Sequence, residues 1–265
     1  PLFKNKVMNT ENLQKTFRKM KADVKIVEPG ARMRRITEGY SIDVQRGVFL
    51  ITVPDKDNLN VDIQVLDVDS KDRHVLLNIN TKEKVRGRSG NVREVTQKAK
   101  WLCGHDERDW FVGAIPGGAK NIWEAKQALK PKEVVEVEAN LPKKAKHKRR
   151  NKARIRQGEW FFIPTKDLEV PEYMIHKNEP ISRGGGSKNH YIDEVYRSGG
   201  VTVYVKGISI LSKSQFNQLT DKQKVGYQIR TRDASVYARG NVKHVDHATI
   251  FLDGWHKVLM NTEAN

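Results

Sequence analysis

Three histidines crowd the C-terminal region, His244, His247 and His256, with Asp246 between the first two. Neutral imidazole is the commonest metal ligand and titrates close to neutral pH. His244 and His247 are an odd step apart, so on a straight strand they face opposite ways. They converge only if Val245-Asp246 forms a turn or bulge. Asp253-Gly254, flanked by the apolar runs 247–252 and 255–260, is the two-residue signal for a type I′ hairpin. That hairpin would set His247 opposite Met260 and leave His247 and His256 about 13 Å apart, too far for one ion. A metal or catalytic site is therefore sought in His190, His244 and His247. The plainer reading is structural or phosphate-facing histidines.

Cys103-Gly104-His105-Asp106-Glu107-Arg108-Asp109 is the densest polar cluster and joins two strand-like runs. His105 and Glu107 could do acid/base work there or, with Asp106, hold Mg²⁺. An ordinary charged turn has the same composition. A Cys103–His105 nucleophile pair competes with a buried, inert cysteine. In the stretch from Ser182 to His190, Gly184-Gly185-Gly186 could free backbone N–H groups for a phosphate, with Arg183 and Lys188 supplying charge. The Walker pattern is absent, and the alternative is a plain connector.

The net charge is +17, and its position matters more than its total. Residues 143–156 hold nine basic and no acidic side chains: Lys143, Lys144, Lys146, Lys148, Arg149, Arg150, Lys152, Arg154 and Arg156. Repulsion at this density predicts an extended or weakly helical segment. A phosphate backbone is the natural counter-surface, because each neutralised phosphate releases condensed cations. Basic stretches at 82–100 and 183–188 would extend the track. Trp101, Trp110, Phe111, Trp160, Phe161, Phe162 and Trp255 interleave with this charge. Most belong in a core; Trp110 and Trp160, each after an acidic residue, are candidates for stacking on unpaired bases.

The elements that must position these groups are mostly strands. Period-two patterns mark 47–53, 61–68, 73–79, 99–103, 109–115, 159–163 and 201–205. Residues 9–21 predict a helix from Leu13, Phe17 and Met20, capped by Asn9 or Thr10. Capping boxes mark helices at 121–129, with Asn121 and Glu124, and at 212–219, with Ser212 and Gln215. Residues 132–139 fit helix or strand, and 81–100 read as a mobile loop or hairpin. Asp109-Trp110-Phe111 and Glu159-Trp160-Phe161 echo one another and suggest related lobes. The expectation is a mainly β (α+β) protein with three or four short helices. Two β-rich lobes of antiparallel strands, 1–140 and 157–265, flank a basic connector at 141–156.

No run approaches 18 apolar residues, which argues against a helical membrane span and a membrane partner. A single cysteine excludes an intrachain disulfide framework and a cysteine-rich zinc or iron–sulfur site. With no apolar leader-like segment at the start of this sequence, the cytoplasm is the expected compartment.

The segments WLCGHDERDWFVGAIP, RQGEWFFIP and HVDHATIFLDGWHKVLMNTE resemble a group of uncharacterised bacterial and phage proteins. The shared features are a Gln-Gly-Glu…Ile-Pro strand, a glycine-rich segment ending in His, and an H-x-x-H motif before a final hairpin. The resemblance implies no activity, but it adds weight to His190, His244 and His247 acting together. The leading expectation is a nucleic-acid-binding protein, RNA favoured over DNA for want of a major-groove helix. One alternative is a metal-dependent or histidine-based nuclease or phosphoesterase, with a divalent metal as cofactor. Another is a scaffold with a basic arm.

Overall fold

The computed structural model describes residues 7–8, 10–29, 39–54, 58–86, 90–183 and 187–263. Strand dominates, with short helices between. The chain divides into two compact units, 1–139 with 261–265, and 140–260.

In chain order the first unit comprises β1 (Val7–Met8), α1 (Thr10–Lys19), β2 (Asp23–Val27), β3 (Ser41–Gln45) and β4 (Val48–Thr52). Then follow β5 (Leu59–Asp69), β6 (His74–Arg86), β7 (Val92–Asp106), β8 (Asp109–Ile115), α2 (Ile122–Ala128) and α3 (Lys132–Val137). Its main sheet has the order β1-β5-β6-β7-β8. Successive residues of β6 point to opposite faces, and both faces are covered. Val75, Leu77 and Ile79 join a core with Leu13, Phe17 and Met20 of α1 and with Phe49 and Ile51 of the small sheet β2-β4-β3. Leu76 instead joins Leu102, Ile122 and Ala125 beneath α2. Each fully buried side chain of this size contributes about 1.5–3 kcal/mol. Asn121 accepts the Glu124 N–H at 2.8 Å and starts α2 as the capping pattern predicts.

The second unit comprises α4 (Lys143–Lys146), β9 (Ile155–Gln157), β10 (Trp160–Pro164), β11 (His176–Ile181), β12 (His190–Ser198), β13 (Val201–Lys206) and β14 (Ser209–Ser212). After these come α5 (Lys213–Asn217), α6 (Asp221–Lys224), β15 (Gln228–Arg232), β16 (Ser235–His244) and β17 (His247–Met260). Its main sheet has the order β11-β12-β16-β17-β10-β9. Phe162, Ile192, Val195, Ala238, Val242, Leu252 and Val258 fill its core. A small sheet β14-β13-β15 carries α5 and α6, where Tyr204 stacks on Phe216 at 3.8 Å. Among the described residues no helix is long and apolar enough to cross a membrane.

Several expectations are corrected. Asp253-Gly254 makes no hairpin, because β17 runs through it. Three residues, Asp253 to Trp255, face the single Arg239 between the Ala238↔His256 and Gly240↔Leu252 pairs. Pairing along β16 absorbs the local turn signal as a register shift. Of the two readings left open for residues 81–100, a mobile loop or a hairpin, the hairpin is the one observed, with β6 and β7 paired from His74↔Gly104 to Arg86↔Val92. Thirteen consecutive pairs there outweigh the polar composition. The Trp-Phe echo lies on β8 and β10 in sheets of different strand order, so it marks no duplicated lobe. Among the described residues six short α-helices form where three or four helices were expected.

Candidate functional site

The hairpin between β16 and β17 turns at Val245-Asp246, and His244 and His247 pair directly across it. The two-residue turn cancels their odd spacing, because residues directly opposed across an antiparallel pair share one face. Beside them, Tyr191 of β12 pairs with Lys243 of β16, so His190 and His244 are the next residues outward on neighbouring strands. Three histidines thus form a row across β12, β16 and β17. Ring centroids lie 4.1 Å apart for His190–His244, 4.7 Å for His244–His247 and 5.7 Å for His190–His247. One nitrogen from each ring lies within 4.8 Å of the others. No other three His, Cys, Asp or Glu side chains converge in this way among the described residues.

The row is held from behind. Gln157 is fully buried, and its amide donates to the carbonyls of Val242 at 3.3 Å and Ala248 at 2.6 Å, clamping both arms of the hairpin. Gly158 follows at φ +55°, and a Cβ there would stand 2.8 Å from Nε2 of His247 and 3.5 Å from Nε2 of His190. Lys188 donates to both carboxylate oxygens of Asp246, at 2.8 and 2.7 Å, tying the segment before His190 to the turn. The Asp246 N–H donates to Nδ1 of His244 at 3.1 Å.

Burial pushes His190 down to about 3, helped by the like charges of His244 and His247 and opposed by Asp246. His244 is lowered by burial and by His247, with Asp246 and Glu159 opposing. Asp246 is lowered chiefly by its hydrogen bond from Lys188. Burial thus favours the neutral form of His190 and His244, the form in which histidine coordinates metal. His190 is 1% exposed, and neither ring nitrogen has a hydrogen-bond partner among the described residues. Burying a polar atom in that condition costs about 1–3 kcal/mol.

The cationic segment 143–156 is not an extended connector. It packs as part of the second unit. Arg154, expected to grip phosphate, is 2% exposed, and its guanidinium donates to the carbonyls of Lys146, Lys148 and Arg149 at 2.7–2.9 Å. Those bonds offset the repulsion by folding the loop around one buried cation, which also lies over the Phe161 ring. Arg156 is half-buried and donates to the Gly158 carbonyl at 2.8 Å. Lys143, Lys144, Lys148, Arg149, Arg150 and Lys152 are exposed, while Lys146 is half-buried. Arg150 also donates to the Phe251 carbonyl at 3.2 Å, setting the loop against β17.

Other expected residues are placed differently. His105 meets Arg73 at 2.6 Å and the edge of Trp110. Glu107 sits in the β7–β8 turn at φ 51°, and no metal-sized cluster forms there among the described residues. Cys103 is fully buried in the core, which drives its thiol far above its ordinary range and leaves no Cys–His nucleophile. Lys188 is engaged by Asp246, and Arg183 is half-buried. The glycines 184–186 lie outside the described residues. His256 is buried and bonds the Gly254 carbonyl at 2.8 Å, apart from the row. Trp160 is buried and Trp110 packs on Phe49, so neither is a stacking platform; the exposed aromatics of the main sheet are Tyr191 and Phe251.

Sequence reasoning passed over Gln157 and Gly158 as site residues. A Gln-Gly pair between two strand runs marks a turn, and the resemblance includes it only as part of the Gln-Gly-Glu…Ile-Pro strand, with no role at the site. Nothing in the neighbouring residues announces the burial of Gln157.

No family model, curated protein or solved structure matches this chain.

Proposed function

We propose that the chain binds nucleic acid, RNA in preference to DNA, through the cationic loop 143–156. The observation that carries this reading is the exposed cations of the loop set beside an exposed aromatic. Arg150 bonds the main chain at Phe251, whose side chain is 58% exposed. Cations along a phosphate backbone and an open ring for a base are the two parts of a single-strand binding surface. Tyr191 on the same sheet supplies a second exposed ring. Flat β-surfaces of this kind suit unpaired bases better than a duplex groove, which is the basis of the RNA preference.

The test is fluorescence anisotropy of labelled single-stranded RNA, DNA and duplex across a salt series. Replacing Lys148, Arg149, Arg150 and Lys152 together by Gln should weaken binding about 10- to 100-fold for every sequence. The log–log salt slope should flatten by about 0.7 for every phosphate the variant no longer neutralises. Unchanged affinity and slope reject the reading.

A second reading, a metal-dependent or histidine-based nuclease or phosphoesterase, is favoured by the histidine row lying in the same unit. It requires cleavage of labelled RNA or DNA that EDTA or His244→Ala abolishes. Intact substrate across a panel of metals rejects it.

A further inference from the structure

We propose that His190, His244 and His247 are a binding site for one borderline transition-metal dication of the Zn²⁺ class, with a coordination position left open. The inference does not rest on the nucleic-acid reading. Its basis is the donor set, the way it is held and the space beside it.

Among the described residues the converging donors are three imidazoles. Such a set suits Zn²⁺, Cu²⁺, Ni²⁺ or Co²⁺, and it is a poor match for Mg²⁺ or Ca²⁺, which take oxygen ligands. The three come from adjacent strands whose backbones are fixed by sheet hydrogen bonds, and the Gln157 clamp fixes the hairpin that carries two of them. A buried ring with no hydrogen-bond partner for either nitrogen, as at His190, is what a ligand awaiting its ion looks like. Nε2 of His190 and Nε2 of His247 both border the volume that a side chain at residue 158 would fill, and glycine leaves that volume open.

The arrangement of the rings defines what must move. Tetrahedral Zn²⁺ with bonds of about 2.0–2.1 Å holds its nitrogens about 3.4 Å apart. The donors here lie within 4.8 Å, and the rings stack at 21–27° instead of radiating from a point. Binding therefore rotates the rings and draws the nitrogens inward by about 1 Å. Nδ1 of His244 now accepts the Asp246 amide, so its proton sits on Nε2. Ligation either displaces that amide or shifts the proton to Nδ1. Three protein ligands leave the fourth place to water or another small donor.

The experiment uses the full chain, stripped with EDTA and free of nucleic acid. Zn²⁺ is titrated by calorimetry against a competing chelator, and Co²⁺ is titrated by visible absorption. Expected is one ion per chain, a tetrahedral Co²⁺ spectrum, and a thermal transition raised by Zn²⁺ and restored by EDTA. His244→Ala and His247→Ala, both at partly exposed positions, should each weaken binding at least about 100-fold, whereas His176→Ala, at an exposed histidine outside the row, should leave it unchanged. Gly158→Ala tests the open volume without removing a ligand and should also weaken binding. Should a variant misfold, the wild-type stoichiometry, spectrum and thermal shift decide. The proposal is overturned by wild-type protein that binds no ion in a one-to-one ratio. It is equally overturned by binding that survives loss of both His244 and His247, or by an octahedral Co²⁺ spectrum with weak affinity.

Discussion

Two hairpin ends in this molecule look alike on paper and differ in space. The β7–β8 turn carries Cys103, His105, Asp106, Glu107 and Asp109; the β16–β17 turn carries His244, Asp246 and His247. Each lies beside a strand that brings another histidine. In the first unit, His74 of β6 pairs with Gly104, one residue out of phase with His105. His74 and His105 therefore fall on opposite faces, His74 against Phe111 and His105 against Trp110. In the second unit His190 is in phase with His244, and the turn puts His247 in the same row. A shift of one residue turns every side chain to the other face. Glycine plays a matching part in both. A Cβ at Gly104 would strike the His74 ring at 2.5 Å, so that glycine makes room for a histidine, whereas Gly158 keeps an opening beside two nitrogens. Density of polar residues along the chain is thus a poor guide to chemistry; phase between neighbouring strands decides it.

The largest effect is expected where phase is enforced. Gln157→Ala removes a buried side chain and two donors, leaving the carbonyls of Val242 and Ala248 short of a partner. The expected cost is about 3–4 kcal/mol in the stability of the second unit. Hydrogen exchange read by mass spectrometry should show it first at residues 242–250, with peptides from 74–79 unchanged. Equal loosening in both units would dissolve the contrast drawn between them.

In the first unit the buried histidine, His74, should announce itself through pH. Burial, then the charge of Lys126, holds His74 down to about 4, against an ordinary 6.5. Between those values the unfolded chain binds more protons, so stability rises with pH through the window. The contribution is complete above pH 6.5, falls as the solution is acidified toward pH 4, and is flat below. The span is up to about 3 kcal/mol. Exchange of the β6 amides measured from about pH 7 to pH 4, corrected for the intrinsic rate, should follow this curve, and His74→Leu should remove it. A variant with the wild-type slope would show that another group is responsible.

The legible parts of the fold were those with a local cause. Leu13, Phe17 and Met20 announce α1 by helical spacing, and Ser212 with Gln215 announces α5 by a capping box that is present in both directions. What pairing decides was not legible. Asp253-Gly254 carries a strong turn signal, yet a partner strand on one side turns it into a register shift. Residues 81–86 and 92–100 carry polar side chains that leave loop and hairpin both open, and pairing begun by Val75 to Ile79 selects the hairpin. At the site, the spacing of His244 and His247 states the condition for convergence, a turn at Val245-Asp246, but cannot say that it is met. The partnership of His190 depends on which strand lies next to β16, a tertiary fact. Arg154 shows the same limit from the side of charge. Its eight basic neighbours in 143–156 suggest solvent, and only the fold reveals three carbonyls arranged to receive it.

The smallest effect sharpens the comparison at its edge. Lys188 reads in sequence as a phosphate ligand, and in the structure it spans to Asp246 beside the histidine row. Its side chain is 57% exposed, so the pair is screened by water and salt and contributes at most about 1 kcal/mol. Lys188→Ala should therefore lower the stability of the second unit by no more than that, measured by denaturant titration, and the loss should shrink further in high salt. The same variant should change RNA affinity less than about twofold, because an ammonium already facing a carboxylate gives little net attraction to a phosphate. The contrast with the Gln157 variant is the point. If a buried amide and an exposed ion pair, both touching the same turn, cost equal amounts, then the row is held in phase by charge at the surface and not by the clamp beneath it.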